Sequence, residues 1–231
     1  MTELREERIG ALTLLQDPAE FKLTRDALDL ARFATVRRFD RVCDLGCGQG
    51  NLLIPLAERA EGLTLDGVEL RAGAAALCRE NLRRNGLSGT IVTGDLTARH
   101  ASLGPGQYDL VVANPPYFAA SSGAVAPDEA RGMARTEGNY TLEAACAAAK
   151  LLLHTGGRFA LCIRPERLAE LMEEMRRHGL EPKRLQLRQP RSERCANLAL
   201  VEGVRQGRPG LTVLPVLLTQ QPGTEDEGQG G

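Results

Sequence analysis

The segment Val42-Cys43-Asp44-Leu45-Gly46-Cys47-Gly48-Gln49-Gly50-Asn51 joins an apolar run to a glycine-rich turn. A strand that ends in such a turn and opens a helix is typical of α/β proteins that bind nucleotide-like ligands. Glycine permits the sharp turn and lets the backbone approach a ligand closely. The third glycine comes one residue earlier than in the dinucleotide fingerprint Gly-x-Gly-x-x-Gly. The turn therefore predicts a ligand site that differs from a dinucleotide site, with a simple tight connection as the alternative.

Three later strands are predicted to end in polar side chains. Glu69 ends the run that starts at Leu63, and Asp95 follows the run that starts at Thr90. A carboxylate at such a strand end can accept both hydroxyls of a ribose, and Asp95 could accept hydrogen bonds from an adenine amino group. Each acid alone could equally cap a helix or lie in a solvated loop. Together with Asp44 and with Asn114 at a fourth strand end, they predict one site.

Asn114-Pro115-Pro116-Tyr117 follows the buried run that starts at Tyr108. Two consecutive prolines end a strand because they cannot donate to its ladder, and the residue before a proline is pushed to an extended conformation. An amide side chain, proline carbonyls and a flat ring are thus held at the sheet edge where ligands of open α/β sheets bind. A strand-ending turn with a structural asparagine is the alternative for this tetrapeptide alone.

The order DLGCGQG, GVEL, GDL and NPPY resembles the amino-methylating S-adenosylmethionine-dependent methyltransferases. Upstream, residues 21–31 are similar to a segment of the bacterial tRNA adenine-N6 methyltransferases that act on valine tRNA. Several downstream segments also resemble that family, namely Arg135-x-Glu137, Gly156–Phe159, Arg164–Leu168, Asn197–Glu202 and Gly210-Leu211. The resemblance covers about residues 21–218.

The resemblance implies a Rossmann-like class I methyltransferase of the α/β class, with S-adenosyl-L-methionine as cofactor. Its mostly parallel seven-stranded sheet would end in a C-terminal antiparallel hairpin. Catalytic residues would be Asn114, Pro115 and Tyr117. The cofactor would be bound by Lys22, Thr24, Asp44, Gly46, Cys47, Gly48, Gly50, Asn51, Glu69, Asp95, Leu96 and Asn114. The substrate implied is an adenine beside the anticodon of a tRNA, methylated at N6.

Strands and helices alternate from about residue 41 to 175, the βαβ pattern of a parallel sheet. Helices are expected after Gly50, Arg71, Thr141 and Pro165, and residues 185–188 and 197–202 should form an antiparallel pair. We expect one methyltransferase domain over 1–219, in which 1–38, with a helix at 24–34, cover the cofactor site. Residues 220–231 should be a disordered tail. The irregular stretch 118–139 is read as a mobile substrate-binding loop, or else a floppy connection.

Composition narrows the class of protein. The 231 residues are 42% hydrophobic, enough for one domain with a sizeable core. No apolar stretch is long enough for a membrane span, and the charged N-terminus does not resemble a signal peptide. Six scattered cysteines without a Cys-x-x-Cys indicate neither a zinc site nor a disulfide framework, and they fit the cytoplasm. We expect no metal and no membrane partner.

The net charge of −1 does not indicate a nucleic-acid binder, but the basic residues are concentrated in one part of the chain. Residues 150–210 carry thirteen basic and seven acidic side chains, an excess of six. Part of this segment reads as a solvated helix face, whereas residues 183–194 carry few acids and could meet phosphates. The predicted RNA-binding residues are Tyr117, Arg131, Arg135, Lys183, Arg184 and Arg188.

The predicted chemistry is methyl transfer to an exocyclic amine. Asn114 and the Pro115 carbonyl could each accept one N–H of the amine, which directs its lone pair toward the methyl donor. Tyr117 would stack on the base. No strong general base is required, and the three histidines have no motif context.

Other acceptors use the same motif. A release-factor glutamine would call for an N-terminal helical domain, and only 43 residues precede Asp44. Another RNA base, a protein glutamine and a non-catalytic cofactor-binding partner protein stay as alternatives, and the oligomeric state is open.

Overall fold

The computed structural model describes residues 3–98, 100–115 and 140–219 of the chain. The predicted loop 118–139 and the predicted tail 220–231 lie outside these ranges. The strands are β1 (Arg5–Ile9), β2 (Leu12–Gln16), β3 (Arg41–Leu45), β4 (Thr64–Glu69), β5 (Ile91–Thr93), β6 (Tyr108–Ala113), β7 (Leu153–Ile163), β8 (Leu180–Gln189), β9 (Leu198–Arg205), β10 (Thr212–Val213) and β11 (Leu217–Leu218). The helices are α1 (Arg25–Phe33), α2 (Leu53–Ala57), α3 (Ala72–Arg84), α4 (Leu142–Leu152) and α5 (Leu168–Arg177), with a 3₁₀ turn at Pro165–Arg167 before α5.

The central sheet has the strand order β10-β8-β9-β7-β6-β3-β4-β5, and β11 also pairs with β8. The pairs from β5 to β7 are parallel, whereas β9 is antiparallel to both β7 and β8. The predicted mostly parallel seven-stranded sheet with its closing hairpin is therefore confirmed. The sequence did not predict β10 and β11, which extend the sheet beyond β8 with two residues each.

Successive residues along the strands belong to two different apolar clusters, one on each face of the sheet. Val42 on β3 belongs to the apolar cluster that also contains residues of α1, α2 and α3. Its neighbour Cys43 belongs to the cluster that contains residues of α4 and α5. This period of two, repeated on β6 and β7, is expected for parallel strands covered by helices on both faces. The helices cover the two faces of the sheet and not the carboxyl ends of its parallel strands. This row of strand ends is called the open edge of the sheet below.

The helices begin where the sequence provides caps. The Thr24 hydroxyl accepts a hydrogen bond from the Ala27 amide at the start of α1, and Thr141 does the same for Ala144 at the start of α4. Such caps satisfy backbone donors that have no partner inside the helix. The predicted helix at 24–34 and the helices after Gly50, Arg71, Thr141 and Pro165 are all present.

A two-stranded hairpin, β1–β2, precedes α1 and was not predicted. It is fastened to α3 through Asn81, whose side chain accepts from the Leu15 amide and donates to the Leu15 carbonyl. Asn85 forms the same pair of bonds with Thr13. The N-terminal segment therefore leads from α3 across the glycine-rich turn to α1. Among the described residues, no helix is both long and apolar enough to cross a membrane.

Candidate active site

The glycine-rich turn after β3 needs glycine at three positions. Gly46, Gly48 and Gly50 have φ values of 84°, 52° and 97°, in the region that residues with a Cβ rarely adopt. The Gly46 and Cys47 amides both donate to the Val68 carbonyl, at 2.8 and 3.1 Å, so the turn is held against the end of β4. The Cys47 side chain is buried in the core, so its predicted cofactor contact does not involve an exposed thiol.

Two side chains of this turn carry buried oxygens that accept no hydrogen bond from any described residue. They are Oδ1 of Asp44 and Oδ1 of Asn51. Burial, and then the nearby charge of Glu69, raise the pKa of Asp44 well above its usual range. A buried carboxylate oxygen without a donor is costly, and such groups in native proteins call for an explanation. A cationic or hydroxyl-bearing ligand in the turn would supply the missing donors.

Glu69 is buried at the end of β4, where its carboxylate is already hydrogen-bonded. Oε2 accepts from the Gly48 amide at 2.9 Å. Oε1 accepts from the amide and from Nε of Arg71, at 2.9 and 3.1 Å. Glu69 thus fixes the glycine-rich turn, and a carboxylate retains acceptor directions beyond these three bonds. The predicted contact of Glu69 with a ribose stays a proposal.

The register of the sheet places the predicted residues in one row. Leu45 pairs with Val68 and Asp44 with Val112, so Glu69, Gly46 and Asn114 lie level on three neighbouring strand ends. Ala113 pairs with Leu161 on the other side, which puts Cys162 level with Asn114. Residues at four neighbouring strand ends therefore lie at the open edge of the sheet, and the sequence predicts the first three of them as site residues.

Asn114 is the last residue before Pro115 and is partly buried beside β7. The thiol of Cys162 donates to Oδ1 of Asn114, with 3.0 Å between sulfur and oxygen. The contact links the predicted catalytic amide to the neighbouring strand. Tyr117, the third predicted catalytic residue, lies outside the described residues.

Tyr140 is a site residue that the sequence did not indicate. Its hydroxyl donates to the Leu45 carbonyl at 3.0 Å, and its ring would lie 3.3 Å from a Cβ on Gly46. Burial raises its pKa well above the usual value, and the nearby Asp44 carboxylate adds to the effect. The ring of Tyr140 therefore packs directly against the glycine-rich turn, and its hydroxyl is neutral.

Asp95 lies after β5 in a local turn. Its Oδ1 accepts from the amide and hydroxyl of Thr97, at 2.8 and 2.7 Å, and these bonds lower its pKa. Asp95 therefore stabilises a loop turn, in line with the loop position that the sequence also allowed. Its contact with adenine stays a proposal. Leu96 lies on the wall of a cavity of about 660 Å³, which is bounded by residues 96–98 and 100–105 and by α4. Leu45 and Val68 also line this cavity.

The segment between β2 and α1 lies over the glycine-rich turn. The Phe21 carbonyl accepts from the side chains of Gln49 and Asn51, at 2.9 and 3.0 Å. Arg71 forms an ion pair with Glu20, and its guanidinium lies 4.7 Å from the centre of the Phe21 ring. Two predicted cofactor residues belong to this segment: Lys22 is exposed, and Thr24 caps α1.

The predicted RNA-binding cluster divides in the structure. The Arg188 side chain is buried and ion-paired with Asp26 and Asp29, at 2.6 and 3.0 Å. Arg184 donates to Glu202 and to the Phe33 carbonyl. Both therefore fasten α1 and its C-terminal end to the sheet, and their predicted contact with phosphates stays a prediction.

Lys183, the third member of that cluster, is partly exposed and donates to the Arg208 carbonyl at 3.1 Å. Arg131 and Arg135, the other predicted RNA contacts, lie outside the described residues. Within the described ranges, no group of three or more histidine, cysteine, aspartate or glutamate side chains is arranged to hold a metal ion.

The family model of the methyltransferase small domain matches residues 26–175, which contain the strand-end row and the glycine-rich turn. The chain belongs to the methyltransferase small domain family. Solved structures agree on the fold. The chain superposes on a predicted O-methyltransferase from Agrobacterium tumefaciens with a TM-score of 0.67, at 23% identity over 86% of this chain and 89% of that one. For TYW2 of Pyrococcus horikoshii, in complex with MeSAdo, the TM-score is 0.61, at 13% identity over 90% and 73% of the two chains.

Curated relatives of this chain within the methyltransferases share a more specific name. The chain is 34% identical over 173 residues to the tRNA1(Val) (adenine(37)-N6)-methyltransferase of Serratia proteamaculans, which is 72% of this chain and 65% of the relative. It is 31% identical over 152 residues to the enzyme of that name from Musicola paradisiaca, which is 65% and 60% of the two chains. The match thus spans less than two thirds of these relatives' length.

Proposed function

We propose that this chain is an S-adenosylmethionine-dependent N-methyltransferase that modifies N6 of an adenine in tRNA, beside the anticodon. The observation that carries the proposal is the strand-end row, in which Asn114 lies level with Gly46 and Glu69 while Asp44 holds a buried oxygen without a donor. The names of the relatives support the tRNA substrate.

The residues around the glycine-rich turn fit this cofactor. S-adenosylmethionine carries an ammonium group and ribose hydroxyls, which are the donors that Asp44 and Asn51 lack. Asp44 and Glu69 are both buried at this turn, and a ligand whose sulfonium and ammonium groups are positive would favour the charged form of Asp44. When bound, the cofactor supplies an electrophilic methyl group. Leu96 and the cavity beside it offer an apolar surface for the adenine ring.

Asn114 would act on the acceptor amine. The lone pair of an exocyclic amine is delocalised into the base, so the amine is a weak nucleophile. A hydrogen bond from the amine to Oδ1 of Asn114, and a second to the Pro115 carbonyl, would favour a tetrahedral nitrogen. Preset dipoles of this kind lower the barrier because they need no reorganisation during the reaction. A base must leave its stack to reach such a pocket, and a loop base does so at lower cost.

The test uses labelled S-adenosylmethionine and an in vitro transcript of a valine tRNA, followed by nucleoside analysis. We expect labelled N6-methyladenosine. Asn114→Ala should retain S-adenosylhomocysteine binding while turnover falls about 100-fold or more. Label in another base or in a protein glutamine would contradict the proposed substrate. Cofactor binding without transfer to any acceptor would indicate a non-catalytic partner protein instead.

A further inference from the structure

Three arginines flank the exit of the strands that carry Asn114 and Cys162. We propose that Arg164, Arg191 and Arg194 form a phosphate-binding surface for the RNA backbone next to the methylated base. This surface is called the arginine rim below. The inference rests on the proposed function, because it assumes that the acceptor base is part of an RNA.

The register of the sheet gives the position of Arg164. Cys162 is level with Asn114 on the adjacent strand, and Arg164 lies two residues further toward the open edge. With a rise of about 3.3 Å per residue and strands about 4.8 Å apart, the Cα atoms of Arg164 and Asn114 lie roughly 8 Å apart. That separation suits contact with the sugar-phosphate chain of a nucleotide whose base reaches Asn114.

The other two arginines belong to the loop 190–197, which joins β8 to β9 at this same edge. Arg164 donates to the Asn197 carbonyl at 3.0 Å, so β7 and this loop are joined directly. The Arg194 amide donates to the Arg191 carbonyl in a turn within the loop. The arginine rim is therefore one continuous structure beside the strand-end row.

Exposure and charge suit this surface to phosphates. Residues 191–195 are all exposed, and so is Arg164. The loop carries one acid, Glu193, which accepts from the Ser192 hydroxyl, whereas the rim carries three arginines. Guanidinium groups bind phosphate oxygens in a two-pronged geometry, and the release of counterions makes such binding depend on salt.

The rim also occupies a different position from the other cationic side chains of this stretch of chain. Arg184 and Arg188 are ion-paired to residues of α1 or of β9, in the interior side of the same segment of chain. The basic residues between positions 183 and 194 thus lie in two places. Arg184 and Arg188 on β8 stabilise the fold, whereas Arg191 and Arg194 lie in the loop at the sheet edge beside Asn114.

The experiment measures binding of the valine tRNA transcript at several salt concentrations. The variant is the double substitution Arg191→Ala/Arg194→Ala. The matched control is Arg176→Ala/Arg177→Ala, which removes the same charge from the exposed C-terminal end of α5, at the opposite edge of the sheet. Binding of S-adenosylhomocysteine is measured for both by calorimetry.

The rim variant should weaken tRNA binding roughly tenfold near physiological salt, and the slope of log K against log salt should flatten by about 1.4–1.8. The control should keep the slope of the wild type, and cofactor binding should be unchanged in both. If the wild-type protein methylates the transcript but the rim variant keeps its slope, the rim is overturned and the proposed function stands. If the wild-type protein neither binds nor methylates tRNA, and a protein glutamine is methylated instead, both are overturned.

Discussion

The thiol of Cys162 donates to Oδ1 of Asn114 across neighbouring strands, with 3.0 Å between the two atoms. An amide oxygen has two lone pairs and can accept more than one hydrogen bond, and the bond from the thiol restrains the plane of the Asn114 amide. Cys162 is fully buried, which makes this contact part of the rigid sheet. It would therefore act on the reaction only through the orientation of Asn114.

This relationship predicts a difference between two substitutions at Cys162. Cys162→Ser keeps a donor to Oδ1, whereas Cys162→Ala removes it. We expect kcat of the alanine variant to fall about fivefold, the equivalent of about 1 kcal/mol, with little change in KM, and kcat of the serine variant to stay near that of the wild type. Cys146→Ala is the control, because it removes a buried thiol from the core without touching Asn114. A serine variant as slow as the alanine variant would argue for packing instead of orientation.

Substitution of Asp44 by asparagine should have opposite effects on the stability of the protein and on cofactor binding. Its folded-state pKa is raised by burial and by Glu69, so the folded protein binds a proton that the unfolded chain releases. The stability of the ligand-free protein should therefore fall as pH rises from about 4, the pKa in the unfolded chain, through the raised folded pKa. Asp44→Asn removes the buried charge, so its unfolding free energy should exceed that of the wild type by about 1–3 kcal/mol at neutral pH.

The same substitution should weaken binding of S-adenosylhomocysteine, because the ligand's ammonium group loses its partner. Denaturant unfolding at pH 4 and pH 7, with calorimetry on the same samples, checks both effects. An asparagine variant that binds as tightly as the wild type would remove Asp44 from the proposed cofactor site.

The parts of the site that depend on backbone chemistry were predictable from the sequence. Three glycines in a short span indicated a sharp turn, where the structure has three positive φ values, and two prolines required β6 to end before them, as it does at Ala113. Strand periodicity then placed these positions at one edge. The β1–β2 hairpin had only its turn glycine as a signal, Gly10, which has a φ of 59°, because β1 carries four charged residues and does not alternate between apolar and polar ones.

The parts that depend on distant partners were not predictable. Tyr140 reaches Leu45 across 95 positions of sequence, and Arg188 reaches Asp26 across 162. A count of charges cannot separate an arginine that pairs with a distant helix from one that faces solvent. Arg71 bonds to Glu69 two positions earlier, but its ion pair with Glu20 depends on where the N-terminal segment lies.

Arg188 and Arg191 are three residues apart and should respond differently to loss of charge. Arg188→Ala leaves the partly buried Asp26 without its cation and takes the nearest cation from the buried Asp29, which keeps Arg25 and Arg32 at 3.4 and 3.7 Å. This should cost about 1–3 kcal/mol of unfolding free energy. Arg191→Ala removes an exposed side chain, and because exposed ion pairs are worth about 0–1 kcal/mol, it should cost less than about 1 kcal/mol. Denaturant unfolding of both variants is the measurement. Restored stability in Arg188→Met combined with Asp26→Asn and Asp29→Asn would show that the uncompensated carboxylates cause the loss.

His154 gives the stability of the protein a pH dependence near neutrality. The Thr155 carbonyl and the Asp109 carboxylate, the latter 3.1 Å from Nε2, raise the pKa of His154, although Arg158 nearby opposes this. Because the folded pKa lies above the unfolded value of about 6.5, the stabilisation is complete below that pH. It is lost as pH rises through the folded pKa. Both side chains are more than a third exposed, which limits the effect to about 0.2–1 kcal/mol. Unfolding between pH 5.5 and 8.5 should show this decline in the wild type but not in His154→Asn, and parallel curves would mean that the pair adds nothing to stability.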